Sequence, residues 1–95
     1  MSNRSDPVQE TSDGYQRVIA ILGDRWRVIE CRDSIQWILQ RRENGTAKRP
    51  WRAVGYFRTR KALIRVCGGF NREFHPGALT ALDHLPEVIG QAKED

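Results

Sequence analysis

Between Trp26 and Cys67 the chain reads WRVIEC, IQWILQRR, WRAVGYF and TRKALIRVC, three strand-like segments that run into one amphipathic helix. All three tryptophans and both cysteines lie in this stretch, and its alternation leaves few ways to fold. Side chains alternate faces along a strand. A turn at Asp33 and Ser34, residue types that bond to nearby backbone, groups Trp26, Val28 and Glu30 with Ile35, Trp37, Leu39 and Arg41. Setting Arg42 opposite Pro50 then pairs Ile35 with Phe57, Trp37 with Gly55, Leu39 with Ala53 and Arg41 with Trp51. Large meets small across the strands, as close packing asks. This is the expected core face, with Glu30 and Arg41 as an ion pair at its edge.

The opposite face carries Arg25, Arg27, Ile29 and Cys31, then Gln36, Ile38, Gln40 and Arg42, then Arg52, Val54 and Tyr56. Basic and polar groups surround an apolar strip of Ile29, Ile38 and Val54. Such a strip is either covered, with Val18 to Leu22 or the chain after Phe74 as the candidates, or used for binding. A one-residue slip in the first turn would exchange the faces of the first strand, so the side taken by Arg25 and Arg27 stays open.

Tyr15 to Leu22 reads as a preceding strand, rich in β-branched residues, and Gly23-Asp24 ends it. Thr59 is a good N-cap, after which Ala62, Leu63, Val66, Cys67 and Phe70 recur at helical spacing. Gly68-Gly69 weakens or ends that helix. Pro76 starts a second one with Ala78, Leu79, Leu82 and Leu85 as its stripe, and Pro86 stops it. Val88 and Ile89 are expected to tuck under the fold. The fold class is α+β: a four-stranded (three plus one) antiparallel meander with two C-terminal helices on one face. Residues 15–90 form one domain, and residues 1–14 and 91–95 are expected to be disordered tails.

Charge divides the same way. Residues 15–90 hold 14 Lys and Arg against 7 Asp and Glu, whereas residues 1–14 carry net −2 and residues 91–95 net −1. A basic body between acidic tails favours a polyanionic partner or an acidic protein surface. No apolar run exceeds the five residues Val18 to Leu22, so no membrane span or signal peptide is expected. Two cysteines without a secretory signal point to reduced thiols in the cytoplasm.

Candidate chemistry is sparse. Cys31, Cys67, His75 and His84 show no C-x-x-C or H-x-x-x-H spacing for a metal. Cys67 lies on the apolar stripe, where a free cysteine behaves as a small hydrophobe. Gly68-Gly69 follows a helix instead of preceding one, which is the wrong order for a phosphate loop. No catalytic residue, cofactor or metal is expected, and the chain reads as a binding module, not an enzyme.

Trp51 to Leu63 (WRAVGYFRTRKAL) resembles the end of the three-stranded DNA-binding domains of phage and transposon integrases. There the last strand enters an F-x-T-[KR]-[KR]-x-A helix start, matched by Phe57, Thr59, Arg60, Lys61 and, one position early, Ala62. The resemblance implies an open sheet face laid in the major groove, with Arg27, Gln36, Gln40, Arg42, Arg52 and Tyr56 in contact. The wider run Ser34 to Cys67 is similar to small bacterial proteins with a W-I-L-Q-R-R strand, often borne on mobile elements.

Two functional expectations follow. One is nucleic-acid binding through the basic open face and the 43–49 hairpin loop, by Arg27, Gln36, Gln40, Arg42, Lys48, Arg49, Arg52 and Tyr56. In this reading no acid shares the face, so the arginines call for an external anion. The other is a protein-interaction module, such as a mobile-element inhibitor or adaptor, using the same face. Nothing in the sequence sets an oligomeric state.

Overall fold

The computed structural model describes residues 9–43 and 49–90. Strands β1 (Val18–Gly23), β2 (Trp26–Glu30), β3 (Trp37–Arg42) and β4 (Trp51–Phe57) precede helix α1 (Arg60–Gly68) and two short 3-10 helices, Asn71–Glu73 and Ala78–His84. The strands form one antiparallel sheet in the order β1-β2-β3-β4. This is the expected α+β meander. Lys48 and residues 91–95 lie outside the described residues.

The apolar spacing of α1 works as read. Thr59 Oγ1 accepts from the Ala62 backbone N–H at 3.2 Å, and Gly69 forms the C-cap. Leu63 and Cys67 are fully buried against Trp26, Val28, Trp37 and Leu39, in one core with Leu22, Phe74 and Leu82. The second helix differs from expectation. Pro76 and Gly77 (φ 77°) lead into a 3-10 helix over Ala78–His84, not an α-helix, and its Leu82 still reaches the core. Ile89 packs on that core while Val88 bridges to Thr59 at the rim.

Three register expectations are corrected. The connection after β2 is wider than two residues: the Cys31 N–H donates to Gln36 O, Ser34 takes φ 59°, and Ile35 is 51 % exposed instead of facing Phe57. In β3–β4 the partners are Trp37 with Phe57, Leu39 with Gly55, Gln40 with Ala53, Arg41 with Arg52 and Arg42 with Trp51. Gly55 makes room not for Trp37 but for Phe57: a Cβ there would sit 2.7 Å from Phe57 Cζ. Val54 is then an unpaired bulge residue between Gly55 and Ala53. A bulge breaks strict alternation, so Trp51 and Ala53 turn to the face expected to be open, and Arg52 turns to the helix side. Glu30 and Arg41 also part company, because antiparallel pairing puts them at opposite ends of the hairpin: Glu30 faces Trp37 and Arg41 faces Trp26.

The centre of the second face is covered, chiefly by neither expected segment, while Ile21 and Tyr56 on that face stay exposed. Residues 9–15, hereafter the strap, cross it. Tyr15 is buried with Ile29, Cys31 and Ile38, with Val18 and Ala53 packed alongside. Its hydroxyl donates to the Glu30 carbonyl at 2.8 Å. The expected tail 1–14 is thus corrected over 9–14, and residues 1–8 lie outside the described residues. Its composition concealed this because, apart from Tyr15, the strap is held by backbone carbonyls and two carboxylates and not by apolar side chains.

Candidate functional site

Arg27 and Gln40 face each other across β2 and β3, and the strap seals them in. Arg27 is 4 % exposed and Gln40 1 %. Arg27 Nε donates to Gln40 Oε1 at 2.7 Å. Its Nη2 donates to the backbone carbonyls of Glu10 (3.0 Å) and Ser12 (2.9 Å). Gln40 Nε2 donates to the same Glu10 carbonyl at 3.0 Å, and the Trp51 ring lies 4.2 Å beneath the guanidinium. Burial pulls the Arg27 pKa down to about 10, so it remains charged at neutral pH. Both residues are therefore removed from the expected nucleic-acid contacts: they hold the chain's own strap.

Arg42 is also engaged. Its Nη1 bonds Asp13 Oδ1 at 2.6 Å, and Trp51 Nε1 donates to the same oxygen at 2.7 Å. These two bonds, Arg42 first, hold the Asp13 carboxyl below its ordinary pKa. The expectation that no acid shares this face is thus corrected: Asp13 arrives from the strap. Glu10 adds a second carboxylate, accepting from the Arg32 backbone N–H at 2.7 Å. Gln36 sits half-buried in the β2–β3 connection, its carbonyl tied to the Cys31 N–H. Tyr56 stays 59 % exposed opposite Ile38.

On the helix side the structure assembles what the expected register had split. Arg41 and Arg52 are direct cross-strand partners, and both are exposed at the hairpin end of the sheet. Arg52 pairs with Glu43 at 3.0 Å. Arg41 lies 5.8 Å from the Trp26 ring. Exposed Arg49 belongs to the same end, and Arg25 Nε donates to the Arg42 carbonyl at 3.1 Å. Like charges set directly opposite repel, and Glu43 offsets one of them. No sequence signal marks this pair, because it depends on the bulge at Val54.

A cleft of about 610 Å³ runs along α1 between Arg60, Lys61, Ile64 and Arg65 on one side and Glu87 and Val88 on the other. Its Arg60 is occupied, donating to the Leu85 carbonyl at 2.7 Å. Both cysteines are free and buried, and burial pushes the Cys67 thiol up to about 11, which suits an inert core residue. Among the described residues no three His, Cys, Asp or Glu side chains come together as a metal site, and no helix is long and apolar enough to cross a membrane. Comparison with known proteins finds no matching family model, no matching curated protein and no matching solved structure.

Proposed function

We propose that this protein is a small, non-enzymatic nucleic-acid-binding module that grips phosphates with the arginine end of its sheet. The observation that supports this is the Arg41–Arg52 pair, two exposed arginines that the β3–β4 register sets directly opposite each other. Arginine forks bond phosphate oxygens in pairs, and a phosphate set between the two would relieve their repulsion. Arg49 extends the patch along the hairpin. The strap-covered face has no part in this reading, because Arg27 and Gln40 are closed to a partner.

The test is binding of a labelled short duplex and a single strand at about 50 mM and about 200 mM salt, since each phosphate contact contributes about one unit of salt slope. Replacing both Arg41 and Arg52 by alanine is expected to weaken binding and flatten the slope by about two units. Absence of binding to either nucleic acid at the lower salt overturns the reading.

A second reading has its own observation. Ile35 (51 %), Tyr56 (59 %) and Val54 (40 %) are large exposed apolar side chains of the β3–β4 half of the sheet and its preceding loop. These suit a protein partner. Association anchored on them would weaken little with salt and would fall on Tyr56→Ala, leaving the Arg41 and Arg52 replacements silent.

A further inference from the structure

The walls of the cleft along α1 are fixed by the chain's own bonds. The Arg60 backbone N–H donates to the Glu87 carbonyl at 2.9 Å and the Ile89 N–H to the Arg58 carbonyl at 3.0 Å, on either side of the Thr59–Val88 bridge. Its apolar lining is Ile64, half-buried, and Val88, 40 % exposed. The charges around it do not balance. Three cations, Arg60, Lys61 and Arg65, line the cleft against the single acid Glu87. Glu87 lies 4.0 Å from Arg60, which leaves Lys61 and Arg65. Both are exposed, and among the described residues neither side chain has an ion pair or a hydrogen bond. They stand about one helical turn apart, where like charges repel, and no acid occupies the first turn of α1 to offset them.

We infer that this cleft docks one face of an acidic amphipathic helix from a protein partner, its apolar side chain against Ile64 and Val88 and its carboxylates on Lys61 and Arg65. Spacing selects the class. Lys61, Ile64 and Arg65 stand at i, i+3 and i+4, neighbours on one face of a helix. A Glu-x-x-Leu-Glu stretch carries carboxylate, apolar branch and carboxylate at the same spacing, so acids meet cations where leucine meets Ile64. Glu87 argues against a nucleic acid here. It is 77 % exposed on the opposite wall and would repel an unbroken run of phosphates, whereas a helix can turn an uncharged residue toward it. Walls held before the partner arrives spare it the ordering that binding otherwise costs. The cleft is distinct from the Arg41–Arg52 pair at the hairpin end and from Tyr56 on the other face of the sheet, so each proposal stands or falls alone.

The test titrates the full chain into a labelled alanine-based peptide bearing two Glu-Ala-Ala-Leu-Glu repeats and follows fluorescence anisotropy. Saturable binding is expected. It should weaken at least about tenfold when glutamine replaces every glutamate, the loss of the charge-assisted contacts. Glutamine in place of every leucine should weaken it by a similar factor, the loss of the apolar contact. Lys61→Glu combined with Arg65→Glu changes two exposed side chains and should abolish binding at a nearly unchanged melting temperature. The same double variant should gain binding to a counterpart peptide with lysine in place of every glutamate, an exchange that general basicity would not produce. No saturation at about 1 mM chain overturns the proposal. So does a glutamine-for-glutamate peptide that binds as tightly, or a double variant that binds the acidic peptide unchanged. A short duplex that displaces the peptide from the Arg41→Ala, Arg52→Ala variant as well as unlabelled peptide does also gives the cleft to nucleic acid and overturns it.

Discussion

The strand pattern places Arg27 on the second face but leaves its side open to a one-residue slip; the structure puts it on that face, buried. Trp26, Val28 and Glu30 do alternate with Arg27 and Ile29 as expected. What the sequence could not display is that the strap brings carbonyl oxygens onto that face. The physical reason is that carbonyls belong to every residue and leave no mark on composition. Removing the guanidinium strands its acceptors inside the protein. Arg27→Ala is expected to lower stability by about 2 to 4 kcal/mol, checked by urea unfolding. Arg27→Lys should recover only part of it, because one ammonium cannot reach all three acceptors in the same fork geometry. Asp13 gives the strap a pH dependence with a definite sign. Its folded pKa is lowered, so its contribution is present above the ordinary value of 3.8 and is lost as pH falls through the lower folded value. Exchange of the Trp51 indole proton should therefore accelerate on acidification below about pH 4. Acceleration already at pH 6 would contradict this.

Each strand was legible because hydrophobic alternation is a property of neighbouring residues. Register was not, because it depends on which ring fills which gap. The large-against-small rule correctly singled out Gly55 as making room for an aromatic ring, yet the occupant is Phe57, two residues along the same strand. From that substitution the bulge at Val54 and the reversal of Trp51 and Arg52 follow, and with them the arginine pair. The second helix was placed correctly and typed wrongly: its leucine stripe is real, but a seven-residue element entered through Gly77 closes as 3-10. Two glycines make a matched experiment. A Cβ at Gly55 would meet the tip of the Phe57 ring at 2.7 Å, whereas one at Gly23 would meet the Glu73 backbone carbonyl at the same 2.7 Å. A half-buried ring can swing aside and a backbone carbonyl in a 3-10 turn cannot. Gly23→Ala should therefore cost about 1 to 3 kcal/mol and Gly55→Ala less, both by chemical denaturation. The reverse order would show that Phe57 is the more tightly held group.

At the scale of the whole molecule, the sheet is sandwiched. Helix α1 and the 3-10 helices cover one face and the strap the centre of the other, so the basic surface expected to be broad contracts to its hairpin end. The acidic character of residues 1–14 was the available clue: Glu10 and Asp13 meet the basic face they were expected to leave bare. The strap also fixes an order of events in time. It is made before the strands it covers, yet its anchors on Arg42 and Trp51 lie 29 and 38 residues further along the chain from Asp13. Closing such long loops before β3 and β4 exist gains nothing, so the strap should settle only after the folding transition state has passed. Asp13→Ala should then leave the refolding rate unchanged and speed unfolding, about fivefold for each ~1 kcal/mol lost. A stopped-flow chevron showing a slowed folding arm instead would place the strap in the nucleus. A segment made ahead of the strands it covers would thus act chiefly as a latch on the finished fold, governing how long the protein stays folded and not how fast it gets there.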